Sequence, residues 1–120
     1  MEYTKEQLLD FEIIQNLASL GGDDGNAFLK EIIELYINQY PSIYSDIKAS
    51  AITYDSVKLS QTAHALKGAS LNIGAREVAD ICKKLEFKGK ENDMDGVLAL
   101  VMDLDNINSQ TMKLYHQLYF

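Results

Sequence analysis

Three residues close together in this chain could do chemistry jointly: His64, Lys67 and Gly68, within the run Ala63-His64-Ala65-Leu66-Lys67-Gly68-Ala69-Ser70. An imidazole can serve as nucleophile or proton carrier near neutral pH. Lys67 stands at i+3, so on a helix its ammonium is adjacent to His64 and can reach groups bonded to the ring. A cation there holds down the ring's own protonation and then neutralises an anionic group once one is attached. Gly68 stands at i+4, where a mid-helix glycine costs about 1 kcal/mol relative to alanine. Loss of that side chain bares the imidazole to a partner backbone or a phosphoryl group; the opposing reading, tight helix packing, would need an inward position.

The elements that must hold these residues are helical. From about Tyr54 to Ile73, the apolar or small positions Leu59, Thr62, Ala63, Leu66, Ala69, Ser70 and Ile73 fall on one side of a helical wheel. His64 lies roughly 160° from the centre of that stripe, on the face of Gln61, Ala65, Gly68 and Leu71. Upstream, Asp10 is expected to cap a short helix over about residues 10–20, with Phe11, Ile13, Ile14, Leu17 and Leu20 inward and Gly21-Gly22 as its stop. The segment from Asp24 to Ser50 carries Phe28, Ile32, Leu35, Tyr36, Tyr40, Ile43 and Ile47 on one face. Pro41 should kink it near Ile37 to Pro41, or divide it into two helices in near-continuation. After Gly74, a helix from Ala75 to about Lys88 turns Val78, Ile81, Cys82 and Leu85 inward and ends at Gly89. The last runs from about Met94 to Leu118, with Val97, Val101, Leu104, Leu114, Tyr115 and Leu118 inward.

These stripes are best buried in an all-α, antiparallel up-down-up-down four-helix bundle over about residues 24–118, with the short N-terminal helix covering an end. The expected organisation is one domain over residues 1–120, a length that supports a core without metals or disulfides. An imidazole nucleophile also needs its second nitrogen engaged. Glu86, flanking the inward stripe of the helix that must run antiparallel to the motif helix, is the candidate; a solvated glutamate, or one paired with Lys83 or Lys90, is the alternative.

The net charge of −7 disfavours nucleic acid and anionic lipid as partners. Cys82 is the only cysteine, fits the core stripe, and suits a reducing cytoplasm. Residues 1–6 lack the pattern of a secretory signal, and the longest apolar run, Val97 to Met102, is far short of the ~20 residues a bilayer crossing requires. Met1 and the compact length lean towards a free-standing protein over the excised end of a longer one. A metal-dependent hydrolase would need more converging ligands than His64 and His116 provide, and Asp103 and Asp105 read as a solvated helix face. No glycine-rich nucleotide motif accompanies the histidine, which excludes an autokinase; Gly21-Gly22-Asp23-Asp24-Gly25 is a turn-rich connection.

The pattern Ala-His-x-Leu-Lys-Gly-x-Ser, followed by Leu71-Asn72-Ile73-Gly74-Ala75, resembles the signature of the histidine-containing phosphotransfer (HPt) domain, and the likeness runs from Leu9-Asp10 to the last helix. The resemblance implies that His64 accepts a phosphoryl group on Nε2 from a receiver-domain aspartyl phosphate and passes it to another receiver. It further implies that the chain is a cytoplasmic, monomeric phosphocarrier with no cofactor and no kinase activity of its own. Its partners would be response-regulator receivers or a hybrid sensor histidine kinase, with Mg²⁺ held by the receiver. The family often has glutamine where this chain has Glu86. Docking would use Gln61, Ala65, Gly68 and Leu71, although Leu71 could instead be covered by the N-terminal helix. A helical interaction adaptor that is never phosphorylated is the competing function.

Overall fold

A computed structural model describes residues 2–120. Its described residues form helices α1 (Lys5–Leu8), α2 (Phe11–Ser19), α3 (Gly25–Ile52), α4 (Ser56–Asn72), α5 (Arg76–Lys90) and α6 (Val97–Tyr119), with a 3-10 turn at Gly22–Asp24 before α3. Helix α3 packs on α4, α4 on α5, α5 on α6, and α6 back on α3, which closes a four-helix bundle. Its axis is Leu29, Ile33, Ile47, Leu59, Leu66, Leu85, Val101, Leu104 and Ile107, all fully buried. No strand forms among the described residues, only an isolated antiparallel bridge between Leu9 and Ala75.

Local chemistry sets the ends. The Asp10 carboxylate accepts the backbone N–H groups of Glu12 and Ile13, so α2 starts where the sequence indicates. The single turn of α1 was not expected; it is closed by a reciprocal cap in which Thr4 Oγ1 accepts from Gln7 N and Gln7 Oε1 accepts from Thr4 N. Asp55 caps α4 by accepting from Lys58 N. Between α4 and α5 the chain reverses at Gly74, whose φ of +76° suits a residue without a side chain. The N-terminal segment and α6 clamp that reversal: Asp10 N donates to Gly74 O at 2.8 Å, Arg76 pairs with Asp10 at 3.1 Å, and Tyr115 of α6 donates its hydroxyl to Ile73 O.

Pro41 does not divide α3, which is assigned helix without a break from Gly25 to Ile52. Only one hydrogen bond is lost at a proline, and tertiary contacts on both sides outweigh it. Just before it, Tyr36 donates to Asn108 Oδ1 at 2.7 Å and Tyr40 to Asp105 Oδ1 at 3.0 Å; beyond it, Ile47 is fully buried. Burial, and at Tyr40 also the Asp105 carboxylate, drives both phenols well above their usual range. Asp105 is therefore a hydrogen-bond acceptor for α3 and not merely a solvated charge.

Several inward assignments are corrected. Leu35, Leu20 and Leu118 are exposed, and Phe11 by about a third, while Leu29 and Ile33 supply the α3 core. The buried residues Leu29, Ile33, Tyr36, Tyr40, Ile47, Ser50 and Ala51 share one face of α3 along its whole length, and Leu35 lies outside that face. Gly89 does not stop α5 but lies buried inside it, one residue before the end. A side chain there would stand 2.7 Å from Ser56 O and 2.8 Å from Ser60 N, so this glycine is the contact that lets α5 approach the start of α4. At Gly68, by contrast, an added Cβ meets nothing within 4 Å. Gly89→Ala should therefore destabilise the bundle by about 1–3 kcal/mol, as overpacking does, whereas Gly68→Ala should stabilise it by up to about 1 kcal/mol through helix propensity; urea denaturation of the two variants checks both signs.

Candidate functional site

The α4–α5 hairpin brings the sequence-predicted residues together. His64 projects from the outer face of α4 with 68% of its side chain exposed, and its Nδ1 lies 2.9 Å from Glu86 Oε2 on α5. Glu86 follows Leu85 on the inward side of α5, so its side chain is only 6% exposed. Lys67 Nζ donates to the other oxygen, Oε1, at 2.6 Å. From the next turn of α5, Lys90 reaches Oε2 at 3.2 Å. One buried carboxylate thus accepts from one imidazole and two ammonium groups contributed by both helices.

A buried carboxylate without partners would rise in pKa or lose its charge. Here Lys67 acts against burial first, then Lys90 and His64, and together they bring Glu86 down to about 2. Glu86 is therefore ionised and can only accept hydrogen bonds, so the proton of its contact with His64 belongs to Nδ1. That fixes the neutral ring as the Nδ1–H tautomer, with the lone pair on Nε2 and facing away from the carboxylate.

The expected roles are partly redistributed. Lys67 is not poised over a free ring; its ammonium is taken up by Glu86, which makes it the anchor of the carboxylate that orients His64. The orienting and ion-paired readings of Glu86 both hold at once, with Lys90 as the partner along α5. Lys90 is the site residue that sequence reasoning set aside: its i+4 spacing from Glu86 was visible, but not that both act on the oxygen facing His64. Lys83 makes no ion pair with Glu86 and instead borders a shallow cleft of about 200 Å³ with Lys67, Glu86, Phe87 and Lys90. Gln61, Ala65 and Gly68 are exposed around the ring. Leu71 is 47% exposed, so the N-terminal helix does not cover it. Cys82 is buried beneath this cluster, and burial pushes its thiol up to about 12, with Lys67 opposing. His116 stays apart, exposed and with its ring tilted against Phe120 near the end of α6.

No group of three or more His, Cys, Asp or Glu among the described residues is placed to hold a metal ion. No described helix is long and apolar enough to cross a membrane.

Fold and site together define a helical-bundle protein that presents one oriented, solvent-facing histidine. The chain belongs to the Hpt domain family, whose model matches residues 31–110, a span containing α4, α5 and the whole cluster around Glu86. It is 30% identical over 95 residues to multistep phosphorelay regulator 1 of Schizosaccharomyces pombe, covering 79% of this chain and 32% of that protein. It is also 30% identical over 105 residues to phosphotransferase RcsD of Escherichia coli, covering 83% of this chain and 12% of that one. The chain thus spans about a third and about an eighth of these relatives' lengths. In fold it is similar to the crystal structure of histidine-containing phosphotransfer protein B (HptB) from Pseudomonas aeruginosa, with a TM-score of 0.82 over 95% of each chain at 22% identity.

Because the Glu86 carboxyl is lowered on folding, its stabilising contribution is present above its ordinary value near 4.5 and is lost as pH falls towards about 2. Wild type should lose stability more steeply than Glu86→Gln between pH 5 and pH 2, a difference read from paired denaturation curves that cancels the other carboxylates; parallel curves would contradict the assignment.

Proposed function

We propose that this chain is a histidine phosphotransfer intermediate of a multistep His–Asp phosphorelay. The observation that carries this reading is the contact of His64 Nδ1 with the buried Glu86 carboxylate, which leaves Nε2 as an exposed nucleophile. Membership of the Hpt domain family supports it, as do the relatives' names, a multistep phosphorelay regulator and a phosphotransferase.

In the forward step the Nε2 lone pair attacks phosphorus of a receiver's aspartyl phosphate. The Nε2–P bond forms, the acyl P–O bond breaks, and the aspartate leaves as a carboxylate. The ring keeps its Nδ1 proton throughout, so no general base is required. Transfer onward to a second receiver reverses these events. Lys67 and Lys90 lower the cost of bringing a phosphoryl dianion next to Glu86. The open space beside Gly68 admits the aspartyl loop, and Gln61, Ala65 and the half-exposed Leu71 form the contact face. The receiver supplies Mg²⁺, and the chain acts as a carrier with no kinase activity of its own. Receivers or the receiver of a hybrid kinase are its partners.

Incubation with a receiver carrying labelled aspartyl phosphate should move label to wild type and not to His64→Gln. Gly68→Gln should fold normally and transfer poorly, because the added side chain occupies the approach path. Lys67→Ala should slow transfer about ten- to a hundredfold, the worth of a charge-assisted hydrogen bond of about 1.5–3 kcal/mol. Label retained by His64→Gln would overturn the proposal in favour of an adaptor or of another acceptor residue.

A further inference from the structure

Glu86 offers Nδ1 a full negative charge, a feature that orientation alone does not require, since a neutral amide oxygen could accept the same hydrogen bond. When Nε2 attacks phosphorus, the first product is a ring bearing phosphoryl on Nε2 and a proton on Nδ1, that is, a phosphoimidazolium. If Nδ1 then loses its proton to solvent, the ring becomes neutral and departs from phosphorus less readily, because the electron pair returning to Nε2 no longer enters a cation. The protonated ring is the more labile carrier.

We propose that Glu86 is a positioning residue that keeps the Nδ1 proton on the phosphorylated ring, so that the phosphohistidine of this chain stays in its cationic, transfer-ready form. This rests on the assignment of His64 as the phosphoryl acceptor. The geometry that carries it is the 2.9 Å contact between Nδ1 and Oε2 of Glu86, whose side chain is only 6% exposed. The charged groups around the ring are Lys67 from α4 and Glu86 and Lys90 from α5, with Lys83 bordering the adjoining cleft. Among the described residues, no ion pair links His64 to a charged group of α3, the other helix packed on α4.

The two lysines shape this device. By holding Glu86 far down in pKa they keep it an acceptor and prevent it from taking the proton itself. The proton therefore stays on Nδ1, held but not transferred. In spontaneous loss the balance is simple: water attacks phosphorus, the Nε2–P bond breaks with its electron pair returning to Nε2, and inorganic phosphate leaves a neutral Nδ1–H ring.

Phosphoramidate can test this without a receiver: its P–N bond breaks as Nε2–P forms, and ammonia leaves. In a His116→Gln background, where His64 is the only imidazole, the chain and its Glu86→Gln variant are loaded, and phosphohistidine loss is followed by ³¹P NMR from pH 6 to 9. Loss from the parent should stay fast to higher pH, and the Glu86→Gln profile should shift down by about one pH unit, leaving its phosphohistidine about tenfold longer-lived in the upper range. The ¹⁵N resonance of Nδ1 should titrate with the same displacement, a readout that loosened packing would not produce. Coincident profiles and titrations would overturn the inference while leaving His64 as an acceptor. Failure of the folded chain to load His64, with the denatured chain loading normally, would overturn the inference and the acceptor assignment together.

Discussion

The ionised carboxylate of Glu86, buried between α4 and α5, is the constraint to which the rest of the site conforms. An isolated buried charge is costly, and removing one partner from a buried pair leaves the other uncompensated. The chain meets this by saturating both oxygens, Oε1 with Lys67 and Oε2 with His64 and Lys90. Once that arrangement exists, the imidazole has no freedom in tautomer: Nδ1 must donate and Nε2 must face solvent. A free lone pair at one defined nitrogen is thus a consequence of packing at Glu86, directly beside the core residue Leu85.

The carboxylate can sit there only because α5 approaches α4 closely. Gly89 removes the side chain that would collide with the backbone of Ser56 and Ser60, and Gly74 makes the tight reversal that places the helices side by side. Asp10, Leu9 and Arg76 tie the N-terminal segment across this reversal, and Tyr115 fastens it to α6. Glycines thus serve opposite purposes on the hairpin's two faces: Gly89 allows helix contact, whereas Gly68 leaves open space on the face that carries His64.

Much of this was legible in the sequence. The polar and small face of α4 placed His64, Gln61, Ala65, Gly68 and Leu71 outward, and the antiparallel return of α5 placed Glu86 within reach. Asp10 and Gly74 marked the ends where they occur. Less legible were features decided by tertiary contact. Pro41 reads locally as a break, but the hydroxyls of Tyr36 and Tyr40 on α6 acceptors hold the helix through it. Gly89 before a polar stretch reads as a stop, and only the approach of Ser56 and Ser60 shows it to be a packing residue. Lys67 next to His64 suggested direct action on the ring, because the depth of Glu86 and its demand for cations cannot be read from spacing. Leu35 lies outside the buried face of α3, next to Tyr36 in sequence, and its apolar side chain alone made it read as inward.

On the proposed function, Glu86 fixes which ring nitrogen reacts. ¹⁵N-histidine NMR of the chain after transfer from a phosphorylated receiver tests it most directly, because one spectrum locates both the phosphorus coupling and the ring proton. Phosphorus should be on Nε2 of His64 and a proton on Nδ1, with the unmodified ring already in the Nδ1–H form. A phosphoryl group on Nδ1, or a resting ring protonated on Nε2 alone, would contradict it.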